Sequence, residues 1–196
     1  RGTVYEQLDE PDKALQDYLV FMHHFPNNAE VLLAASALRY RMHQYDQAAE
    51  GFERLLTLPS GETEMVYFRQ PVHGEGVTSL FTAQSTDQSS IYNYLGLCAQ
   101  GKGDISQAIA YLDTAIQIQP ENPDYYVNRG LAYQKSRQLA RAENDFKKAL
   151  SIDPTNGLAR YNLASLINAS GDPTKATAFY SQSIEDNPSS PYGYRQ

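Results

Sequence analysis

Five alanines, Ala14, Ala48, Ala108, Ala142 and Ala176, recur along this chain at spacings of 34, 60, 34 and 34 residues, and 60 is one such period with 26 residues inserted. Prolines Pro26, Pro59, Pro120, Pro154 and Pro188 follow them at an offset of 11 or 12. A period marked both by a small helix former and by a helix breaker is a repeated structural unit. One such unit is too small to bury its own apolar face, so it has to stack on copies of itself. The chain is therefore constrained to a linear array and not to a core built around a centre.

Each period has the same internal grammar. The third reads Tyr92, Leu95-Gly96, Ala99, then Ala108, Leu112, Ala115 and Pro120. The fourth reads Tyr126, Arg129-Gly130, Tyr133, then Ala142, Phe146, Ala149 and Asp153-Pro154. The fifth reads Arg160, Leu163-Ala164, Ile167, then Ala176, Tyr180, Ser183 and Pro188. Both halves of a period have helical spacing, with Gly or Ala where two helices cross closely and large side chains beside them. The pattern predicts helices at 28–42, 45–57, 89–101, 105–118, 123–136, 139–152, 157–170 and 174–186. In the first, partial period Arg1 to Leu8 reads as the remnant of a first helix and Pro11 to Phe25 as the second.

Turn chemistry falls between these segments. Gly103-Asp104, Arg137-Gln138 and Gly171-Asp172-Pro173 separate the two helices of a period, with the aspartates placed to cap the second. Between periods lie Pro120-Glu121-Asn122-Pro123, Asp153-Pro154-Thr155-Asn156 and Asn187-Pro188, where proline stops one helix and asparagine caps the next.

A 34-residue period with these residue types resembles the tetratricopeptide repeat. The resemblance covers everything except the insertion and the tail. It implies an all-α fold, a right-handed superhelix of antiparallel helix hairpins, and a non-enzymatic scaffold for protein or peptide partners. The expected organisation is two N-terminal units at 1–58, the first partial, an insertion at 59–88, three units at 89–188, and a tail or the start of a further helix at 189–196. Departures sit at Leu32 and Arg160, where the family usually has Trp or Tyr, and at Ser36, near the small-residue site.

In the insertion, Thr63 to Arg69 and Val77 to Phe81 are β-prone around the turn-rich stretch Gln70 to Gly76, so a β-hairpin, an ordered loop and a mobile loop all fit. The cluster Val66, Tyr67, Phe68, Val77, Leu80 and Phe81 favours packing against something. With no evident capping helix at either end, self-association through an end or the insertion is a second expectation. Arg1 carries neither an initiator Met nor a signal-peptide pattern, which reads as a processed or excised piece of something longer.

Composition narrows the function classes. The net charge is −7 and no basic cluster exceeds Lys147-Lys148, which argues against tracking a phosphate backbone. No apolar run reaches membrane-spanning length. Gly96 to Gly103 falls one residue short of a phosphate-binding GxxxxGK[ST], because Gly103 leaves no hydroxyl for Mg²⁺ and Gly96 lies within a helix. His23, His24 and His43 lie near helix ends without ligand spacing, so no metal or cofactor is expected. The lone Cys98 reads as a small core hydrophobe. Asn168-Ala169-Ser170 is formally a glycosylation sequon, relevant only to a secreted eukaryotic protein. No catalytic constellation emerges; besides the scaffold and the self-assembly module, the chain also reads as the recognition part of a larger enzyme, whose chemistry none of these residues supplies.

The resemblance implies that the first helix of each hairpin lines a concave groove. Its lining is then Asn93, Tyr94, Leu97 and Gln100 in the third period, Asp124, Val127, Asn128, Leu131 and Lys135 in the fourth, and Tyr161, Asn162, Ser165 and Asn168 in the fifth. The amides of Asn93, Asn128 and Asn162 suit the backbone of an extended peptide, since each donates and accepts; asparagine just before the helix crossing equally serves local hydrogen bonding. The tetratricopeptide domains that clamp the carboxylate tails of heat-shock chaperones need Lys and Asn where this chain has Asn93 and Leu97, and Lys and Arg where it has Leu158 and Asn162; only Asn128 matches. The neutral groove is more similar to that of the O-linked sugar transferases or the peroxisomal import receptor.

Overall fold

The computed structural model describes residues 2–58 and 87–186. Among them lie ten helices and no strand: α1 (Gly2–Gln7), α2 (Pro11–His24), α3 (Ala29–Arg41), α4 (Tyr45–Thr57), α5 (Gln88–Lys102), α6 (Ile105–Ile118), α7 (Pro123–Lys135), α8 (Leu139–Ile152), α9 (Gly157–Ala169) and α10 (Pro173–Asp186). The bounds predicted from the period hold to within one residue at every helix from α3 to α10. Most of the 59–88 insertion, with its predicted β-hairpin or loop, and all of the 189–196 tail lie outside the described residues.

The described helices belong to two compact units, Arg1–Ile91 and Tyr92–Gln196, divided in the first turn of α5. In the first unit α1 pairs with α2, α3 with α4, and α2 packs on α3. Its core joins Ala14, Leu15 and Tyr18 of α2 to Ala35 and Leu38 of α3. In the second unit α7 pairs with α8 and α9 with α10, α6 packs on α7, α8 packs on α9, and α7 also touches α9. Tyr126, Val127, Ala142, Phe146, Ala149, Ala159 and Leu163 form its core cluster. Each fully buried Phe or Leu in such a cluster contributes about 1.5–3 kcal/mol of transfer free energy.

The small residues explain how the hairpins close. A Cβ on Gly130 would lie 2.6 Å from Cε1 of Phe146, and one on Gly96 would lie 2.7 Å from Cγ of Leu112. Second-helix side chains thus rest directly on first-helix backbone. The second hairpin distributes the small residues differently. Ser36 is fully buried and donates its hydroxyl to the Leu32 carbonyl at 2.7 Å. A Cβ on Gly51 would collide with Ser36 Oγ, so glycine on the facing helix makes room for the hydroxyl.

Capping follows residue chemistry. Asn28, Asn122 and Asn156 accept from the backbone N–H groups of Val31, Asp124 and Ala159, and Asp104 and Asp172 accept from those of Gln107 and Lys175. Gln138, without a short acceptor, makes no cap bond. Asp87 accepts from the Ser89 hydroxyl, the largest cause holding its carboxyl below the ordinary carboxylate range, and from the Ser89 backbone N–H. The interhelix turns share one backbone device. Asp9, His43, Gly103, Arg137 and Gly171 all have positive φ, between 56° and 94°, and they recur at the period of the alanines. Only two of the five are glycine, the residue to which this conformation costs nothing.

Candidate functional site

The first helices of the second unit, α5, α7 and α9, carry every residue assigned to the groove from sequence. Four of those residues join in one polar chain. Asn128 donates from Nδ2 to Asn93 Oδ1 at 2.8 Å, linking α7 to α5. Gln100 donates from Nε2 to the Asn128 backbone carbonyl at 3.2 Å, and accepts at Oε1 from the Lys135 ammonium at 3.1 Å. Asn93 and Gln100 are seven residues apart on α5, as are Asn128 and Lys135 on α7, so the chain runs about 10 Å along the helix axes. On the other side of α7, Asn156 at the start of α9 donates to Asp124 Oδ1 at 3.5 Å. Helix α7 therefore reaches both neighbouring first helices, through Lys135 near its C-terminal end and Asp124 near its N-terminal end.

The remaining residues divide. Tyr94, Leu97, Leu131, Tyr161 and Ser165 are half-buried, and Asn168 is exposed at the end of α9. Leu131 packs against the core cluster. The Tyr161 ring meets Tyr180 of its own hairpin at a centroid distance of 5.4 Å. Val127 does not line a groove, because it is 1% exposed and packed in the core.

Asn162 departs from its repeat equivalent Asn128. It is buried and donates Nδ2 to the Leu158 carbonyl one turn earlier in its own helix at 2.8 Å. The reason lies one repeat back. Asn128 finds its acceptor in Asn93, 35 residues earlier; the residue 35 before Asn162 is Val127, which has no acceptor to offer. Local back-bonding is what remains for the amide.

From sequence Arg129 is only a repeat marker, and the structure gives it a larger part. Its Nε and Nη2 donate to both carboxylate oxygens of Asp145 in α8 at 2.8 and 2.7 Å, and its Nη1 donates to Asp113 in α6 at 2.7 Å. The rings of Tyr126 and Tyr133 flank the guanidinium at 5.6 and 5.7 Å. Burial alone would lower its pKa, but the bonds from Asp145 and Asp113 outweigh burial and raise it, so the charge is permanent. Carboxylates 32 residues apart on successive second helices, with an arginine midway between them, were the available signal.

Two other side chains take the places expected of them. Cys98 is fully buried, and burial pushes its thiol from the ordinary 9.0 up to about 11, although Lys102 pulls the other way. The exposed His43 ring is joined through Nδ1 to the Tyr45 hydroxyl at 2.7 Å. Among the described residues no three His, Cys, Asp or Glu side chains gather as a metal would need, and no helix is long and apolar enough to cross a membrane.

Comparison with known proteins places this architecture. The family profile described as tetratricopeptide repeat matches residues 95–168. The human protein O-mannosyl-transferase TMTC1 is 20% identical over 96% of this chain, and the human mitochondrial import receptor subunit TOM70 is 23% identical over 94%. The chain spans 23% and 33% of the lengths of those two relatives. Among solved structures, PilW, a type IV pilus biogenesis factor, is 19% identical and superposes with a TM-score of 0.74, covering 98% of this chain and 77% of that one. A thermophilic repeat protein of Thermus thermophilus, TTC0263, superposes with a TM-score of 0.67 at 21% identity, covering 96% and 89%. The repeat period, the hairpin packing and these likenesses agree that residues 95–168 are tetratricopeptide repeats and that the chain has the fold of a tetratricopeptide-repeat array.

Proposed function

We propose that this chain is a non-enzymatic protein-interaction scaffold that holds an extended polypeptide segment across α5, α7 and α9. The observation that carries this reading is the Asn93–Asn128 pair. Their mutual hydrogen bond leaves the Asn93 Nδ2 donor and the Asn128 Oδ1 acceptor without a protein partner among the described residues, and neither is a buried orphan. A neighbouring donor and acceptor, locked in place by the bond between them, complement the C=O and N–H of one extended peptide unit. Neutral amides do this without the desolvation cost of a charge.

The absence of catalysis from the proposal rests on the residues that chemistry would recruit. The one thiol is buried and protonated, and the best-formed charged cluster, around Arg129, is consumed in packing helices together. The transferase activity in the name of TMTC1 belongs to a protein of which this chain matches less than a quarter.

The test is selection of peptides from a displayed library against the intact chain, followed by affinity measurement with the double variant Asn93→Ala/Asn128→Ala. Two neutral hydrogen bonds, each netting about 0.5–1.5 kcal/mol, predict a loss of about 1–3 kcal/mol in binding, with the fold retained and at most about 0.5–1.5 kcal/mol of stability lost from the bond between the two amides. Selected peptides that bind the variant as tightly as the parent would remove the site from these helices. Asn162→Ala serves as the comparison and should leave binding intact, because its amide is committed to its own helix.

A further inference from the structure

We infer that the segment held by α5 and α7 carries an acidic side chain that pairs with Lys135; this rests on the peptide-binding reading above. Several cations of the described residues have acidic or aromatic company. Lys13 pairs with Glu10, Arg41 with Glu6, Lys147 with Glu143, and Arg129 with two aspartates. Lys148 and Arg141 lie over the rings of Tyr126 and Tyr133. Lys135, like Arg54 and Arg160, meets neutral oxygen instead, and of these three it alone joins the polar chain of α5 and α7. It is exposed, and its ammonium is hydrogen-bonded to a neutral amide oxygen, that of Gln100.

That bond fixes where the charge sits. Gln100 is itself tied to the Asn128 carbonyl, so the ammonium is the end of a polar chain whose other end is the Asn93–Asn128 pair. Seven residues of helix separate the two ends, about 10 Å, which an extended peptide covers in about three residues. A segment whose backbone is read by the two asparagines thus places a side chain about three positions away beside Lys135. An ammonium has three donor directions and Gln100 occupies one, leaving the others for a carboxylate. The opposite charge on the same helix, Asp124, lies eleven residues away, about 16 Å, too far to neutralise Lys135 through solvent at physiological ionic strength.

We assign the carboxylate to an Asp or Glu side chain within the segment and not to a chain terminus. The two kinds of carboxylate carry the same oxygens and the same charge; what favours the side chain is that the Asn93–Asn128 pair reads backbone inside a segment, and the polar chain from that pair to Lys135 runs alongside the continuing segment. The chain as a whole carries a net charge of −7, which disfavours a densely acidic partner and leaves one well-placed acid as the fit.

The experiment uses two displayed libraries of peptides about twelve residues long, enough to span the polar chain several times over, one flanked by fixed linkers on both sides and one ending in a free carboxylate. Selection on the wild-type chain from the flanked library should enrich Asp or Glu at one position. Lys135→Gln should lose that preference and bind the selected peptides up to about fivefold more weakly, with the difference shrinking as salt is raised. Lys135→Glu should reverse the preference to Lys or Arg. The Asn93→Ala/Asn128→Ala variant should weaken all selected peptides while keeping the acidic preference, which separates this inference from the reading it rests on. Peptides without acidic enrichment, or an enrichment that survives Lys135→Gln, overturn the Lys135 assignment alone. Acidic enrichment confined to the free-carboxylate library overturns the side-chain assignment. Failure of both libraries to yield a binder overturns the groove reading and this inference with it.

Discussion

Gly130→Ala adds one methyl group, and two opposed effects determine its sign. In an exposed helix interior the change would stabilise by about 1 kcal/mol, because alanine orders more cheaply than glycine. Here the new Cβ meets Phe146 at 2.6, 2.9 and 3.1 Å from Cε1, Cδ1 and Cζ. The ring cannot step aside, since Phe146 has no solvent exposure and is packed among Ala142, Ala149, Ala159 and Leu163. Overpacking of this kind costs about 1–3 kcal/mol. The net expectation is a loss of about 0–2 kcal/mol, where propensity alone predicts a gain. A double-mutant cycle with Phe146→Leu isolates the collision: the smaller side chain destabilises by itself, but in its presence Gly130→Ala should become neutral or stabilising, with a coupling of about 0.5–3 kcal/mol. Urea denaturation followed by circular dichroism measures all four corners. A Gly130→Ala protein more stable than its parent, or a coupling indistinguishable from zero, would refute the close crossing of α7 and α8.

Three further outcomes follow from the geometry. Asp145→Ala removes a buried bidentate partner of Arg129 and should cost about 1.5–3 kcal/mol, whereas Asp113→Ala, on the more exposed carboxylate, should cost under about 1 kcal/mol; chemical denaturation of both variants checks the ranking. Arg137→Gly should stabilise by roughly 0.5–1 kcal/mol, and Gly103→Ala or Gly171→Ala should destabilise by about 1–2 kcal/mol from backbone strain alone, because no atom lies within 4 Å of a Cβ at either glycine; melting temperatures decide. Cys98 should react with a thiol reagent only on unfolding. Because its folded pKa is raised, the unfolded thiol ionises first, so stability due to this group is intact below about pH 9 and declines as pH rises toward 11, a slope that Cys98→Ala should abolish.

The helices were legible because period and punctuation are independent and agree: Ala142 and Gly130 mark where helices cross, and Pro120 and Pro154 mark where they stop. Asn28, Asn122 and Asn156 took their caps because a short acceptor just before a helix has few other uses. The site was legible only in part. Asn128 and Asn162 are equivalent by position, and what separates them is the identity of a residue on another helix, Asn93 in one case and Val127 in the other. The Arg129 cluster was hidden for the same reason, since its two carboxylates lie 16 residues away on either side. Positive φ at Arg137 was invisible for a different one: arginine does not favour that conformation, and the turn imposes it.

The Arg129 cluster has a bearing on how the second unit comes apart. It binds α6, α7 and α8 by charge, while its repeat equivalent at the next junction is Leu163, 3% exposed and joined to α8 through Phe146 and Ala149. One joint is ionic and the other oily, and solvent loosens them differently. Hydrophobic contact weakens on cooling, whereas dissolved salt screens the charged joint, most of all at the more exposed Asp113. The same stack of helices can thus be opened at the α6–α7 seam by ionic strength and at the α8–α9 seam by cold, so its weakest point is a property of the medium as much as of the chain.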